Sequence, residues 1–265
     1  MGSFEEEGFT GKNAAELNVQ QRATYPDLFA LADECTRLAL AMTTLLPIAR
    51  ANRQVVVSQF YARAATQYQA SMVLAQTGMT LESLATSRGL LETVFVMLAI
   101  AHDAVTPGEL LSHDDEMRKR HANTLLSKAR AYPSVEPHLD QLGAFVEQRA
   151  ESKEISMHDF ARRGKAPAVY DGLYRFLSNQ ALHPSVTAVD DYLTRDDDGK
   201  LYVHYRPLLE KTPAAVLTAC EGILLACYAC KTAKIHPPAT LSSIEALFEK
   251  CQKLNQQYSP WAKRA

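Results

Sequence analysis

With 265 residues, 47% of them hydrophobic and 22% charged, the chain has the make-up of an ordinary globular protein long enough for a sizeable core, which excludes disordered, collagen-like and disulfide-scaffold classes. A formal net charge of −2 argues against a strongly basic nucleic-acid binder while leaving local basic patches open. Five cysteines, an odd number set mostly within helical patterns, read as reduced core thiols of a cytoplasmic protein.

Residues 1–24 read as a partly flexible N-terminal extension of a single domain spanning 1–265, and Met1 to Lys12 has no apolar run of the kind a signal peptide needs. From Pro26 to Arg50, Leu28, Leu31, Cys35, Leu38, Met42 and Leu45 recur at steps of three and four, which predicts a helix with one buried stripe. Arg53 to Thr77 repeats the pattern with Val57, Tyr61, Ala64, Tyr68, Ser71 and Ala75, and Gly78 supplies a left-handed stop. Thr80 is expected to cap a third helix running to about Asp103, whose second half is apolar all round and therefore central. Thr106-Pro107-Gly108-Glu109 reads as a capping box opening a helix to about Ala131.

Pro137 is expected to start a helix to about Ser152, and Ser156 a short one ending at Gly164. Val169 to Leu182 predicts another helix, which stops near His183 because Pro184 disfavours helical backbone before it. Tyr192 to Arg195 and Leu201 to Arg206 flank Asp196-Asp197-Asp198-Gly199, which predicts a hairpin with a half-buried second strand. Thr212-Pro213 opens a long helix to about Ile235, and Ser242 with Glu245 is expected to cap the last. The longest unbroken apolar runs, Val94 to Ala101 and Ile223 to Cys230, fall short of the ~18 residues of a membrane span, so no membrane association is expected. The predicted fold is all-α, an antiparallel helical bundle with one small β-hairpin near 192–206.

Two rows of residues carry chemistry. The third helix places Arg88, Glu92, Phe95, Ala99 and His102 on one stripe in a segment that otherwise reads as buried. There the Arg88 and Glu92 pair is either a structural ion pair between helices or the wall of a pocket in which the guanidinium receives an anion. Before Pro184, Asp171, Arg175, Asn179 and His183 follow at steps of four, flanked by Tyr174 and Ser178. Such a row is a solvated face by default. Chemically it is also a sufficient set for metal-free phosphodiester cleavage: an Arg for phosphate, a His that titrates near neutrality, and hydroxyls for positioning.

Other signals are set aside. The dipeptides His102-Asp103, His113-Asp114 and His158-Asp159 suggest a metal-dependent phosphohydrolase, but no further His and Asp support the pattern. Cys220, Cys227 and Cys230 lie in an apolar helix, where core packing is expected over zinc. Arg118-Lys119-Arg120-His121 follows Asp114, Asp115 and Glu116, so intrahelical pairs are expected there. Neither glycine-rich phosphate loop nor G-x-S-x-G elbow occurs, and no metal or cofactor is expected.

His158-Asp159-Phe160-Ala161-Arg162-Arg163-Gly164, then Tyr170, Tyr174-Arg175-Phe176-Leu177-Ser178 and His183-Pro184-Ser185, resemble a bacterial family of unknown function, the one numbered 5677. Ser87-Arg88-Gly89-Leu90-Leu91-Glu92 is similar to that family's Arg-x-Leu-Leu-Glu helix. The resemblance implies an all-helical cytoplasmic domain with Arg88, Glu92, Tyr174, Arg175, Ser178 and His183 as recurring polar positions, and it brings no activity. More distantly, the chain resembles helical ribonuclease-like domains of bacterial defence and toxin systems, whose motif is an Arg, four to six residues and a His. Here Arg175 and His183 have seven residues between them, a departure from that motif.

Two functions follow. In the first, a defence-type domain acts on RNA or a nucleotide: Arg175 and His183 are catalytic, Arg88 joins Arg175 in holding phosphate, Glu92 orients an Arg, and Tyr174 and Ser178 position the substrate. In the second, a non-catalytic ligand- or partner-binding module, in one form a homodimer, uses the same residues as a structural polar network.

Overall fold

The structure, a computed structural model, describes residues 4–45, 52–131, 133–182, 189–237 and 240–258. Its longer helices are α1 (Asn13–Thr24), α2 (Pro26–Leu45), α3 (Asn52–Gln76), α4 (Thr80–Ala101) and α5 (Pro107–Ser127), followed by α6 (Leu139–Glu147) and α7 (Met157–Arg163). A composite helix α8 covers residues 167–182, and α9 (Thr212–Thr232) and α10 (Leu241–Tyr258) complete the bundle. The predicted stripes are buried: Leu28, Leu31, Cys35, Leu38 and Met42 on α2, and Val57, Tyr61, Ala64, Tyr68, Ser71 and Ala75 on α3.

α3 turns into α4 through a Schellman motif. Gly78 at φ +85° lets its N–H reach the Ala75 carbonyl (3.1 Å) while the Met79 N–H reaches that of Leu74 (2.9 Å). The two helices therefore run antiparallel in close contact, and α9 packs across both. α4 is central: Thr93 through Ala101 are all buried. At Gly222 of α9 a Cβ would stand 2.6 Å from Leu90 Cδ2, so glycine sets how closely α9 approaches α4. By length and composition α4 and the stretch 209–232 would pass for membrane spans, yet 72% of each apolar window is covered by the rest of the fold. Their hydropathy is that of core helices.

The capping box forms as predicted: Glu109 N donates to Thr106 Oγ1 (3.1 Å) and Thr106 N to Glu109 Oε2 (2.9 Å). The basic run on α5 pairs within its helix, Arg118 with Asp114 (2.8 Å) and Arg120 with Glu116 (3.2 Å). Several boundaries differ from expectation. Thr80 does not cap α4; it is the first helical residue, and its buried hydroxyl donates to the Leu208 carbonyl (3.0 Å), tying α4 to the chain entering α9. α10 begins at Leu241, one residue before Ser242, and Glu245 pairs with Lys231 of α9 (2.7 Å) instead of closing a capping box. Pro137 lies inside a 3-10 turn, Pro133–His138, and α6 starts only at Leu139.

The hairpin is present, β1 (Leu193–Arg195) antiparallel to β2 (Leu201–Val203) with Thr194 opposite Tyr202. Its second strand is not half-buried: Leu201, Tyr202 and Val203 are all exposed. The anchors lie outside the strands, Tyr192 against the core and Tyr205 against Phe4 and Phe9 at ring separations of 5.5 and 5.7 Å. In the N-terminal extension, Gln21 of α1 is buried and its amide donates to the Ala75 and Gln76 carbonyls (3.1 and 2.9 Å), docking α1 on the end of α3.

Candidate functional site

The stripe of α4 predicted from Arg88 to His102 is the face that receives α7 and α8. Near its C-terminal end Gly164, which caps α7, packs so closely that a Cβ would meet Leu98 Cβ at 2.8 Å and the Ala99 backbone nitrogen at 3.0 Å. Phe95, in the middle, is fully buried and takes Tyr170 and Tyr174 at ring separations of 6.0 and 5.6 Å. The two tyrosines stack on each other at 5.0 Å, and His158 of α7 meets Tyr170 edge-on at 5.3 Å. His102 forms the C-cap, where burial and then the Lys165 charge lower its pKa.

α8 is not a plain α-helix. Its turns at Tyr170–Tyr174 and Ser178–Leu182 are π-helical. A π-turn takes up more residues than an α-turn, so the stretch winds more slowly than about 3.6 residues per turn and positions four apart stay in line. Tyr170, Tyr174 and Ser178 thus share the face toward α4. Asp171, Arg175 and Asn179 share the exposed neighbouring face.

At the N-terminal half of α4 four of the sequence-derived candidates come together. Arg88 Nε donates to Ser178 Oγ (2.9 Å), Nη2 to the Tyr174 hydroxyl (2.6 Å), and Nη1 pairs with Glu92 Oε1 (3.0 Å). The Tyr174 hydroxyl donates in turn to Glu92 Oε1 (2.8 Å), and Ser178 Oγ to the Tyr174 carbonyl (2.9 Å). The guanidinium also lies 4.6 Å from the Tyr174 ring centroid, within cation–π range. Burial, then the hydrogen bond to the Glu92 carboxylate, raises the Tyr174 pKa, so the phenol stays protonated and keeps donating. The Arg88 side chain retains only 16% of its exposure and Glu92 35%.

Of the other two expected partners of Arg88, Arg175 is not brought to it among the described residues. Arg175 turns to solvent, its side chain 68% exposed, with Asp171 at 3.8 Å as an ion-pair partner. His183 lies outside the described residues.

Beside the network, Glu92 also lines a cleft of about 410 Å³ between α3 and α4, together with Phe60, Arg63, Gln67, Val96 and Met157. Gln67 Oε1 accepts from Thr93 Oγ1 (2.8 Å), and Gly89 leaves room for the Gln67 amide, whose nitrogen would sit 3.3 Å from a Cβ there. Sequence reasoning missed Arg63 and Gln67. Phe60, Arg63 and Gln67 do stand at steps of three and four, but they flank the more apolar stripe of α3, which dominates the pattern. Among the described residues no group of three or more His, Cys, Asp or Glu side chains is arranged to hold a metal ion.

The class that fold and site define is an all-helical bundle whose central helix is clamped to a π-turned helix by an Arg–Glu–Tyr–Ser network beside an open cleft of mixed polar and apolar lining. The chain belongs to a family of unknown function (DUF5677), whose model matches residues 54–200, from the start of α3 through the β1–β2 turn. No curated protein and no solved structure matches it.

Proposed function

We propose that this chain is a non-catalytic binding module in which Arg88, Glu92, Tyr174 and Ser178 form a structural clamp and the adjoining α3–α4 cleft receives a ligand. One observation carries the reading: each of the three nitrogens of Arg88 is engaged by a protein oxygen, on Glu92, Tyr174 and Ser178. A guanidinium so committed keeps two of its five N–H donors, and a phosphate brought to them would stand beside the Glu92 carboxylate it already pairs with. The alternative, a defence-type domain acting on RNA or a nucleotide, asks Arg88 and Arg175 to hold one phosphate, whereas Arg175 points away into solvent.

The test pairs stability with activity. Removing the half-buried Arg88 with its charged hydrogen bonds costs on the order of 1.5–3 kcal/mol, which for a domain of this size is roughly 4–9 °C in Tm. Arg88→Ala should show that loss, and the wild-type protein should leave a mixed RNA substrate intact in the presence of a chelator. Cleavage by wild type that disappears in an Arg88→Ala protein of unchanged Tm would overturn the reading.

A further inference from the structure

The cleft presents two opposite charges that the protein does not pair with each other. Arg63, on its α3 wall, has no hydrogen-bond or ion-pair partner among the described residues. Glu92, on its α4 wall, spends Oε1 on Arg88 and Tyr174, while no hydrogen bond reaches Oε2 among the described residues. Gln67, its carbonyl held by Thr93, adds an amide to the same lining, and Phe60, Val96 and Met157 supply apolar wall.

We infer that the cleft binds a small zwitterion with an apolar side group, in chemical terms a free α-amino acid such as leucine; this rests on the binding-module reading above. A carboxylate matches the guanidinium fork of Arg63 and the Gln67 amide, an ammonium matches the free Glu92 oxygen, and the side chain lies along Phe60, Val96 and Met157. Discrimination comes from the same pair of charges. A simple anion of the same shape meets the Glu92 carboxylate, a simple amine meets Arg63, and each leaves one charge facing a like one. The volume, about 410 Å³, lies in the range of small-molecule sites.

Calorimetric titration of the 265-residue chain with L-leucine, 4-methylpentanoate and 3-methylbutylamine tests this. Leucine should bind, each half-charged analogue at least tenfold more weakly, and Arg63→Gln should weaken leucine at least tenfold without changing Tm. If 4-methylpentanoate binds as well as leucine and Arg63→Gln abolishes both, the zwitterion inference is overturned while the cleft remains a binding site. If none of the three probes and no other proteinogenic amino acid gives heat at millimolar concentration, the inference is likewise overturned. The binding-module reading is judged separately, by the RNA and Arg88→Ala experiments.

Discussion

What Arg88 gains by leaving water is set by its neighbours: a carboxylate, a phenol and a hydroxyl within 3.0 Å, and an aromatic face below the guanidinium. Tyr174 holds the arrangement together because its hydroxyl accepts from Arg88 and donates to Glu92. Tyr174→Phe keeps the ring packed against Phe95 and removes only that hydroxyl, so a loss of about 1.5–3 kcal/mol is expected in urea unfolding, the range for hydrogen bonds to charged groups. Arg175→Ala, at an exposed position, should stay within about 0.5 kcal/mol of wild type in the same assay. Equal losses for the two would contradict the assignment. Arg88 and Glu92 were legible in the sequence because two charges four apart in an otherwise apolar helix demand partners. Their partners were not, since choosing Tyr174 and Ser178 over Arg175 depends on which face of α8 turns inward.

That choice is made at the level of elements. Steps of four within 171–179 did mark a common face, but in a stretch that mixes α- and π-turns the tyrosine and serine row is the buried one. Nothing in local propensity announces a π-turn, so the sequence marked the row from Asp171 to His183 and left Tyr174 and Ser178 only as its flanks. Helix limits fixed by local chemistry were readable: the Thr106 and Glu109 box, the Gly78 stop, and the Ser156 cap, whose Oγ accepts from Asp159 N at 3.1 Å. Limits fixed by tertiary contact were not, as with Thr80, whose hydroxyl is taken by Leu208. The α7–α4 junction gives the sharpest element-scale expectation. Gly164→Ala places a methyl against Leu98 and backbone atoms of Ala99 and Phe160, none of them the far end of a flexible side chain. A loss of about 1–3 kcal/mol should follow, read as a lowered urea midpoint, whereas Gly172→Ala, with nothing within 4 Å, should show no such loss.

Across the whole molecule the core is sulfur-rich, with Cys35, Cys220, Cys227, Cys230 and Cys251 all buried and reduced. Burial pushes the Cys227 and Cys251 thiols up to about 12 and raises Cys230, while a hydrogen bond with Cys35 and then burial raise Cys220. These folded-state values lie above the unfolded value of about 8.5, so the stabilisation is complete below that pH and is lost as pH rises through it. The slope approaches about 1.4 kcal/mol per pH unit for each thiol ionised only in the unfolded chain. Tyr61 and Tyr68, raised first by burial, add to the loss above about pH 10. With reductant present, the urea midpoint should fall steadily from pH 8 to 10, and Cys230→Ala should flatten the fall; a flat wild-type profile would contradict a sealed thiol core.

The central claim is that Arg88 fastens α8 to α4, and backbone hydrogen exchange compared between wild type and Arg88→Gln tests it most directly. Amides of 170–182 should lose protection by an order of magnitude or more while those of 57–75 and 215–230 keep theirs. Unchanged protection over 170–182, together with loss of some binding or cleaving activity, would contradict the claim and make Arg88 a ligand contact.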